Sequence, residues 1–310
     1  MIPLLIPWLI VVFAVITVVL VVLRKWEYAL LFLVVCVALN WWAKCFPIHI
    51  CSKGENRECL KVMTFNINGT IGDISKKAPK LAELINKYNP DILFVSELSD
   101  KNKLIMDSLF VNIFQYTTHT KNCWNCFYSK SQMYKWGELE NNSNIEHLGV
   151  YICHIPFAND SIIIYGCHFE SNNYTTDNKY LTPDSINNHH EVITYLSNVK
   201  RTSVIRNKEA NAVSGEIMKS IHPVILMGDL NDVCGSTAVR TLERAGLSDA
   251  WWVNGCGYGA TIHRPLPFRI DHIMFSDRLR LQHIEVVNSK GLSDHDALYA
   301  EFKLNYLSRK

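Results

Sequence analysis

Apolar residues are distributed along this chain in three ways. From Ile2 to Leu23 there is no charged residue, and after Arg24-Lys25-Trp26-Glu27 a second apolar run extends from Tyr28 to Ala43. The first run is long enough for a helix to cross about 30 Å of hydrocarbon. Trp41-Trp42 puts an aromatic pair where the second helix would meet the membrane interface. Together they predict a transmembrane helical hairpin within residues 1–45. A cleaved signal peptide is the competing reading, but a basic leading segment and a small-x-small cleavage site are missing, and a second span follows. Residues 46–58 read as a linker and 59–310 as one soluble domain.

In the soluble part, short buried runs alternate with amphipathic segments. Leu60 to Phe65 reads as a strand ending at Asn66-Ile-Asn68-Gly69. Leu81, Leu84, Ile85 and Tyr88 recur at helical spacing, predicting a helix over 75–88 that Asn89-Pro90 stops. Ile92 to Val95 is a strand ending at Ser96-Glu97. Segments near Ile113–Tyr116, Cys126–Tyr128 and Val150–His154 predict antiparallel strands. Ile162 to Cys167 is β-branched and ends at His168-Phe-Glu170. Asn172 to Asn188 is polar and long enough to predict a functional lid. One or two helices follow, over 189–200 and 202–220. Val224 to Met227 is a strand breaking at Gly228-Asp-Leu-Asn231, and Ser236 to Ala245 is a helix. Phe268 to Phe275 and Leu298 to Leu304 are the remaining strands, with Gly291-Leu-Ser293-Asp294-His295 between them.

Charge and cysteine content narrow the classes. A formal net charge of +2 over 310 residues gives no strong nucleic-acid footprint. Of the ten cysteines, Cys153, Cys167 and Cys234 lie in or beside strand-like runs and read as buried thiols. Cys123-Trp-Asn-Cys126 has C-x-x-C spacing but no second pair, which argues against zinc and leaves a local disulfide or free thiols. Cys51 and Cys59 leave the same choice open. Arg24-Lys25 in the connection between the apolar runs favours an extracytoplasmic soluble domain, although Lys44, Lys53 and Arg57 point the other way.

The strand ends carry the chemistry. Asn66, Glu97, His168, Asp229 with Asn231, Asp271, and Asp294 with His295 all lie at or beside the end of an apolar run. Each alone is an ordinary turn or cap residue; the recurrence is what matters. Carboxylate and amide oxygens suit a hard divalent cation such as Mg²⁺, and histidines can hydrogen-bond or protonate a charged intermediate near neutral pH. Arg206, with Arg201 and Lys208, could clamp a phosphate; the alternative is a solvated helix face.

Thr64-Phe-Asn66-Ile, Val95-Ser-Glu97, His168-Phe, Gly228-Asp-Leu-Asn231, Arg269-Ile-Asp271-His-Ile and Ser293-Asp-His295 resemble the motif series of the endonuclease/exonuclease/phosphatase (deoxyribonuclease I-like) superfamily. The resemblance covers about residues 59 to 308, and the hairpin resembles that of bacterial membrane-anchored members of the inner membrane. It implies an α/β (α+β) fold, a four-layer α/β/β/α sandwich of two mixed sheets, and Mg²⁺- or Mn²⁺-dependent hydrolysis of a phosphoester by a monomeric catalytic domain. By resemblance, Glu97, Asn66 and Asp294 are metal ligands, and Asp229 orients or deprotonates the attacking water. Asn231 holds a phosphate oxygen, His168 donates to the phosphate, and His295, oriented by Asp271, stabilises the phosphorane or moves a proton. Asn68 and Arg206 are expected to contact substrate. Two departures stand out: Ser96 replaces the glutamine many relatives carry, and the chain between Asn231 and Asp271 is short. Substrates compatible with these motifs are a nucleic acid, a phospholipid or its head group, and a phosphorylated small molecule. A non-catalytic, membrane-bound phosphate-ligand binder is the alternative to an enzyme.

Overall fold

The computed structural model describes residues 2–49, 59–68, 74–119, 124–139, 148–158, 160–172, 189–263 and 266–305. The two apolar runs form α1 (Ile2–Val22) and α2 (Trp26–Ala43), which pack against each other; both are long and apolar enough to cross a membrane. The expected lid over Asn172 to Asn188 lies, but for Asn172, outside the described residues. So do Cys51 and Cys123, and with them the pairings posed for Cys51/Cys59 and Cys123/Cys126.

The soluble part begins with β1 (Leu60–Asn66), α3 (Ile74–Tyr88), β2 (Ile92–Ser96) and α4 (Asp100–Phe110), followed by β3 (Tyr116–His119) and β4 (Cys126–Ser129). Next come β5 (Tyr134–Glu138), β6 (Val150–Phe157), β7 (Asp160–His168), α5 (His189–Lys219) and β8 (Val224–Asp229). The chain continues through α6 (Thr237–Arg244), β9 (Leu247–Asp249), α7 (Ala250–Asn254), β10 (Asp271–Ser276), β11 (Leu279–Val287) and β12 (Ala297–Leu304). One sheet has the order β11-β12-β1-β2-β4-β3, the other β5-β6-β7-β8-β10-β9. Each contains one parallel pair, β1 with β2 and β7 with β8, among antiparallel neighbours, so both sheets are mixed.

Three apolar clusters account for the layering. Phe94, Phe127, Ile164, Ile225, Met227, Ile273 and Leu298 pack between the sheets. Met63, Leu93, Leu81, Ile85, Met106 and Phe110 seal α3 and α4 onto the outer face of the first sheet. Tyr165, Leu226, Val213, Ile217, Val239 and Leu242 do the same for α5 and α6 on the second. The order is helices, sheet, sheet, helices, the expected four-layer sandwich. The sheets approach closely at Gly166: a Cβ there would run into the rings of Phe94 and Phe127.

Of the one or two helices expected after residue 189 there is one, 31 residues long. Thr202, between the two expected segments, is buried within that helix; its hydroxyl lies 2.7 Å from Asn172 Oδ1, with the Asn198 and Val199 carbonyls as longer alternatives at 3.0 and 3.2 Å. The strand expected from Phe268 starts only at Asp271, because Phe268 instead pairs with Ile262 across a loop.

Candidate active site

Topology gathers the polar strand ends at one edge. β1 and β2 run parallel with Asn66 beside Ser96, so Asn66 and the next residue, Glu97, emerge together. β7 and β8 run parallel with His168 beside Asp229, and β10, antiparallel to β8, starts there with Asp271 opposite Asp229. β12 runs antiparallel to β1, so the turn before it delivers Asp294 and His295 to the same edge. Glu97 and Asn231 take left-handed backbone conformations, φ 58° and 50°, which turn their side chains back toward the cluster. Gly228 precedes Asp229 at φ 139°, and a Cβ there would collide with the Cys167 carbonyl on β7.

The side chains form two linked groups. Asn66 donates from Nδ2 to Glu97 Oε1 at 2.8 Å and to Asp229 Oδ2 at 3.0 Å, tying the sheets together. Its Oδ1 accepts from the Asn68 backbone N–H at 2.9 Å, and Asn68 Nδ2 donates to Asp294 Oδ2 at 3.0 Å. Asp229 Oδ1 accepts the Asn231 N–H at 2.7 Å. His295 donates from Nδ1 to Asp271 Oδ2 at 2.8 Å and turns Nε2 toward Asp229 Oδ2, 3.9 Å away. Ser293 braces the turn by donating to the Asn66 carbonyl at 2.8 Å. His168 Nε2 lies 3.4 Å from Glu97 Oε1 and, like Asp271 Oδ1, is buried without a hydrogen-bond partner.

Charges shift accordingly. Burial raises Asp229, and the Asp271 carboxylate raises it further, to about 6 in spite of both histidines. Burial opposes protonation of His295, but Asp271 above all, then Asp229 and Asp294, overcome it and lift the ring to about 10. His168 is likewise raised: burial works against it, and the Glu97 and Asp229 carboxylates outweigh burial. Glu97 is pushed up by burial but ends below its ordinary value because His168, Asn66 and His295 stabilise the carboxylate. Near neutral pH the site is thus a set of close carboxylates facing the imidazolium of His295 and the His168 ring.

Glu97, His168 and Asp229 each offer a ligand atom within 4.8 Å of the others, and so do Asp229, Asp271 and His295. Carboxylate oxygens dominate both groups, the donor type a hard divalent cation takes. The raised Asp229 carboxyl and the partnerless Asp271 Oδ1 and His168 Nε2 are polar groups that a cation and its phosphate ligand would satisfy.

Nine of the ten residues singled out from the sequence lie in this network or on its rim. Asn231 sits on the rim: its Nδ2 donates to the Phe169 carbonyl at 3.0 Å, which leaves one amide N–H. Arg206 is the exception and corrects the expectation of a substrate contact. It is 1 % exposed, its Nε donates to Asp232 Oδ2 at 3.2 Å, and its Nη1 donates to the Glu170 carbonyl and Asn172 Oδ1 at 3.0 and 2.8 Å. It clamps the segments after His168 and Asp229 from behind, and is neither a phosphate clamp nor part of a solvated face. Asp249 was missed by sequence reasoning: buried, it accepts two hydrogen bonds from Arg269 Nη1 and lies 3.2 Å from His272 Nδ1. His272 Nε2 in turn donates to the Asp232 carbonyl at 3.0 Å, a second brace for the Asp229 turn. The Arg269-Ile-Asp271-His272 string was the available signal.

No curated protein matches the chain by sequence. Solved structures similar to it include D. rerio TDP2 complexed with a single-strand DNA product, 16% identical over 79% of this chain and 99% of that one, with a TM-score of 0.61. A variant of the 3' phosphatase NExo from Neisseria, bound to a product DNA hairpin, is 17% identical over 79% and 99% of the two chains, with a TM-score of 0.58. An endonuclease/exonuclease/phosphatase family protein from Leptotrichia buccalis C-1013-b is 15% identical over 79% and 100%, with a TM-score of 0.55. At these identities the likeness is one of fold. The model of the Endonuclease/Exonuclease/phosphatase family matches residues 63–295, from the first strand to His295 itself. The chain therefore belongs to the endonuclease/exonuclease/phosphatase family.

Proposed function

We propose that this protein is a Mg²⁺- or Mn²⁺-dependent phosphoesterase, tethered to a membrane by its first 45 residues, that hydrolyses a phosphodiester or phosphomonoester by attack of water in the catalytic domain of residues 59–310. The observation that carries the reading is the Asp271–His295–Asp229 array. An imidazole locked on one side by a carboxylate presents its other nitrogen beside a second carboxylate poised near neutral pH.

The geometry supports the following roles. Asp229, titrating at about 6, is ionised at neutral pH and basic enough to orient and deprotonate a water. His295 stays protonated, aims Nε2 across the same space and stabilises charge building on the phosphorane; Asp271 holds it there. His168 and the remaining Asn231 amide N–H serve as further donors to phosphate oxygens, with Asn68 beside them. Glu97, Asn66 through Oδ1, and Asp294 would hold the cation. When bound, it supplies positive charge to the phosphate and its leaving group.

Two observations bear on the substrate. The similar structures of TDP2 and NExo contain product DNA, which favours a nucleic acid. Against that, the hairpin docks on the loop next to the site: Trp8 of α1 meets Phe268 edge to face at 6.3 Å, and Phe46 stacks on Tyr258 at 5.3 Å. The same loop pairs with the catalytic turn, through the Ile262–His295 bridge and the Asp296 N–H donated to the Thr261 carbonyl at 2.7 Å. A site one loop away from a membrane anchor favours a phosphoester presented at a bilayer. Full-length protein in detergent or nanodiscs, assayed with Mg²⁺ against oligonucleotides, phospholipid vesicles and bis-p-nitrophenyl phosphate, tests both levels. We expect hydrolysis that EDTA stops and Mg²⁺ restores, fastest with vesicles. Cation binding without hydrolysis of any substrate would leave the non-catalytic binder as the correct reading.

A further inference from the structure

Behind the site, where the hairpin meets the catalytic domain, two cysteines face each other. Cys45 follows α2 and Cys234 follows the Asp229–Asp232 turn, and their sulfurs lie 3.0 Å apart, both buried. We propose that Cys45 and Cys234 form a disulfide that joins the membrane hairpin covalently to the catalytic loop.

The contact is held from both sides. Asn40 fixes the Cys45 segment by donating to the Phe46 carbonyl at 2.9 Å and accepting the Phe46 N–H at 2.8 Å. Arg240 of α6 lies over the Trp42 ring at 4.0 Å and donates to the Trp42 carbonyl, while Lys44 pairs with Glu243 at 2.7 Å. These contacts bring the end of α2 onto the start of α6, and the sulfurs meet beneath them. Ile6 and Ile10 of α1 complete the apolar cover. Cys153 and Cys167, by contrast, lie buried within central strands of the second sheet.

The Arg269 charge lies near the pair. Its guanidinium is fully buried, with Nη1 on Asp249, while Nε and Nη2 have no hydrogen-bond partner. The hydrogen bond with Cys45, together with the Arg269 charge, draws the Cys234 thiol below its ordinary value against the effect of burial. One of the two, as its thiolate, displaces one thiolate from an external low-molecular-weight disulfide and forms a mixed disulfide; the other, deprotonated, then attacks that cysteine's sulfur and expels the second thiolate. The pair loses two protons and two electrons, and the external disulfide is reduced to two thiols. Because docking buries both sulfurs, the exchange takes place before or during docking of the hairpin. The bond closes 189 residues of sequence and anchors the turn bearing Asp229 and Asn231 to the hairpin.

Full-length protein folded in detergent with glutathione disulfide, then alkylated and digested without reductant, should yield a peptide pair linked through Cys45 and Cys234 by mass spectrometry. A protease site placed within residues 51–58 gives a second readout. After cleavage, hairpin and domain should migrate together until dithiothreitol is added. They should separate without reductant in Cys45→Ser and in Cys234→Ser, and stay together in Cys36→Ser. Alkylation of both cysteines in the oxidised protein, or a link that survives Cys234→Ser, overturns the proposal. Should a serine variant fail to fold, the wild-type peptide map decides alone.

Discussion

His295 is the residue whose charge the site controls most strongly. Its ordinary value of 6.5 rises to about 10, with Asp271 the largest source of the rise after burial is overcome. A raised histidine contributes stability that is fully present below pH 6.5 and is lost as pH climbs through about 10. In the proposed mechanism the same proton is needed, so the alkaline limb of the pH–rate profile should fall near 10. In Asp271→Asn it should move down toward the ordinary histidine range, with turnover lost first at high pH. An unmoved alkaline limb would mean that Asp271 does not govern His295. The acid limb belongs to Asp229, which must be ionised and is raised to about 6. Most of these side chains are legible in the sequence, because each is a polar residue that abruptly ends an apolar run. Arg206 is not: its sequence shows a basic residue on a polar helix, and only the packing of α5 over the Asp232 turn reveals that it is buried. Asp249 escapes for a related reason, since it looks like a cap and is one, accepting the Trp251 and Trp252 N–H groups while it also pairs with Arg269.

Among the elements, the long helix α5 is a brace. It sends Arg206 beneath two catalytic turns and Glu209 to the Glu170 N–H at 2.9 Å. Removing the guanidinium strands a buried Asp232 carboxylate, so Arg206→Ala should cost about 3 kcal/mol and lower Tm by roughly 5–10 °C. Thermal melts measure that loss; a raised KM at unchanged Tm would instead return Arg206 to a substrate-binding role. Elements are unevenly readable. The strands β1, β2, β7 and β8 are short buried runs ended by polar groups and are plain. α4 carries a helical repeat, Ile105 and Met106 followed four residues later by Leu109 and Phe110, but the exposed Leu104 beside them blurs it. β11 is an edge strand whose half-buried alternation is available in Leu279-Arg-Leu-Gln-His-Ile but is weak enough to pass for a loop.

On the scale of the whole molecule, two mixed sheets place six strand ends at one edge, and the hairpin docks beside that edge. Composition marks the hairpin as apolar enough to cross a membrane but could not show where the domain sits against it, since contacts such as Trp41 with Trp252, or Ile48 with Cys256, join segments about two hundred residues apart. If docking presents the site to a bilayer, Trp8→Ala should slow hydrolysis of vesicle-borne substrate severalfold and leave bis-p-nitrophenyl phosphate turnover unchanged. Equal effects on both substrates would indicate that the contact only supports the fold.

In the proposed mechanism Glu97 helps hold a divalent cation while Asp229 and His295 work on the ester. A Mg²⁺ titration of phosphoester hydrolysis, run on full-length wild type, Glu97→Gln, Asp229→Asn and His295→Ala, separates those roles most directly. Wild type should saturate with Mg²⁺. Glu97→Gln should need at least tenfold more cation, about 1.4 kcal/mol of lost binding. Asp229→Asn and His295→Ala should keep the fold by circular dichroism and fall by about 10³ in turnover at saturating Mg²⁺. Hydrolysis that is independent of Mg²⁺, or near wild-type rates in either of the last two variants, would contradict the account.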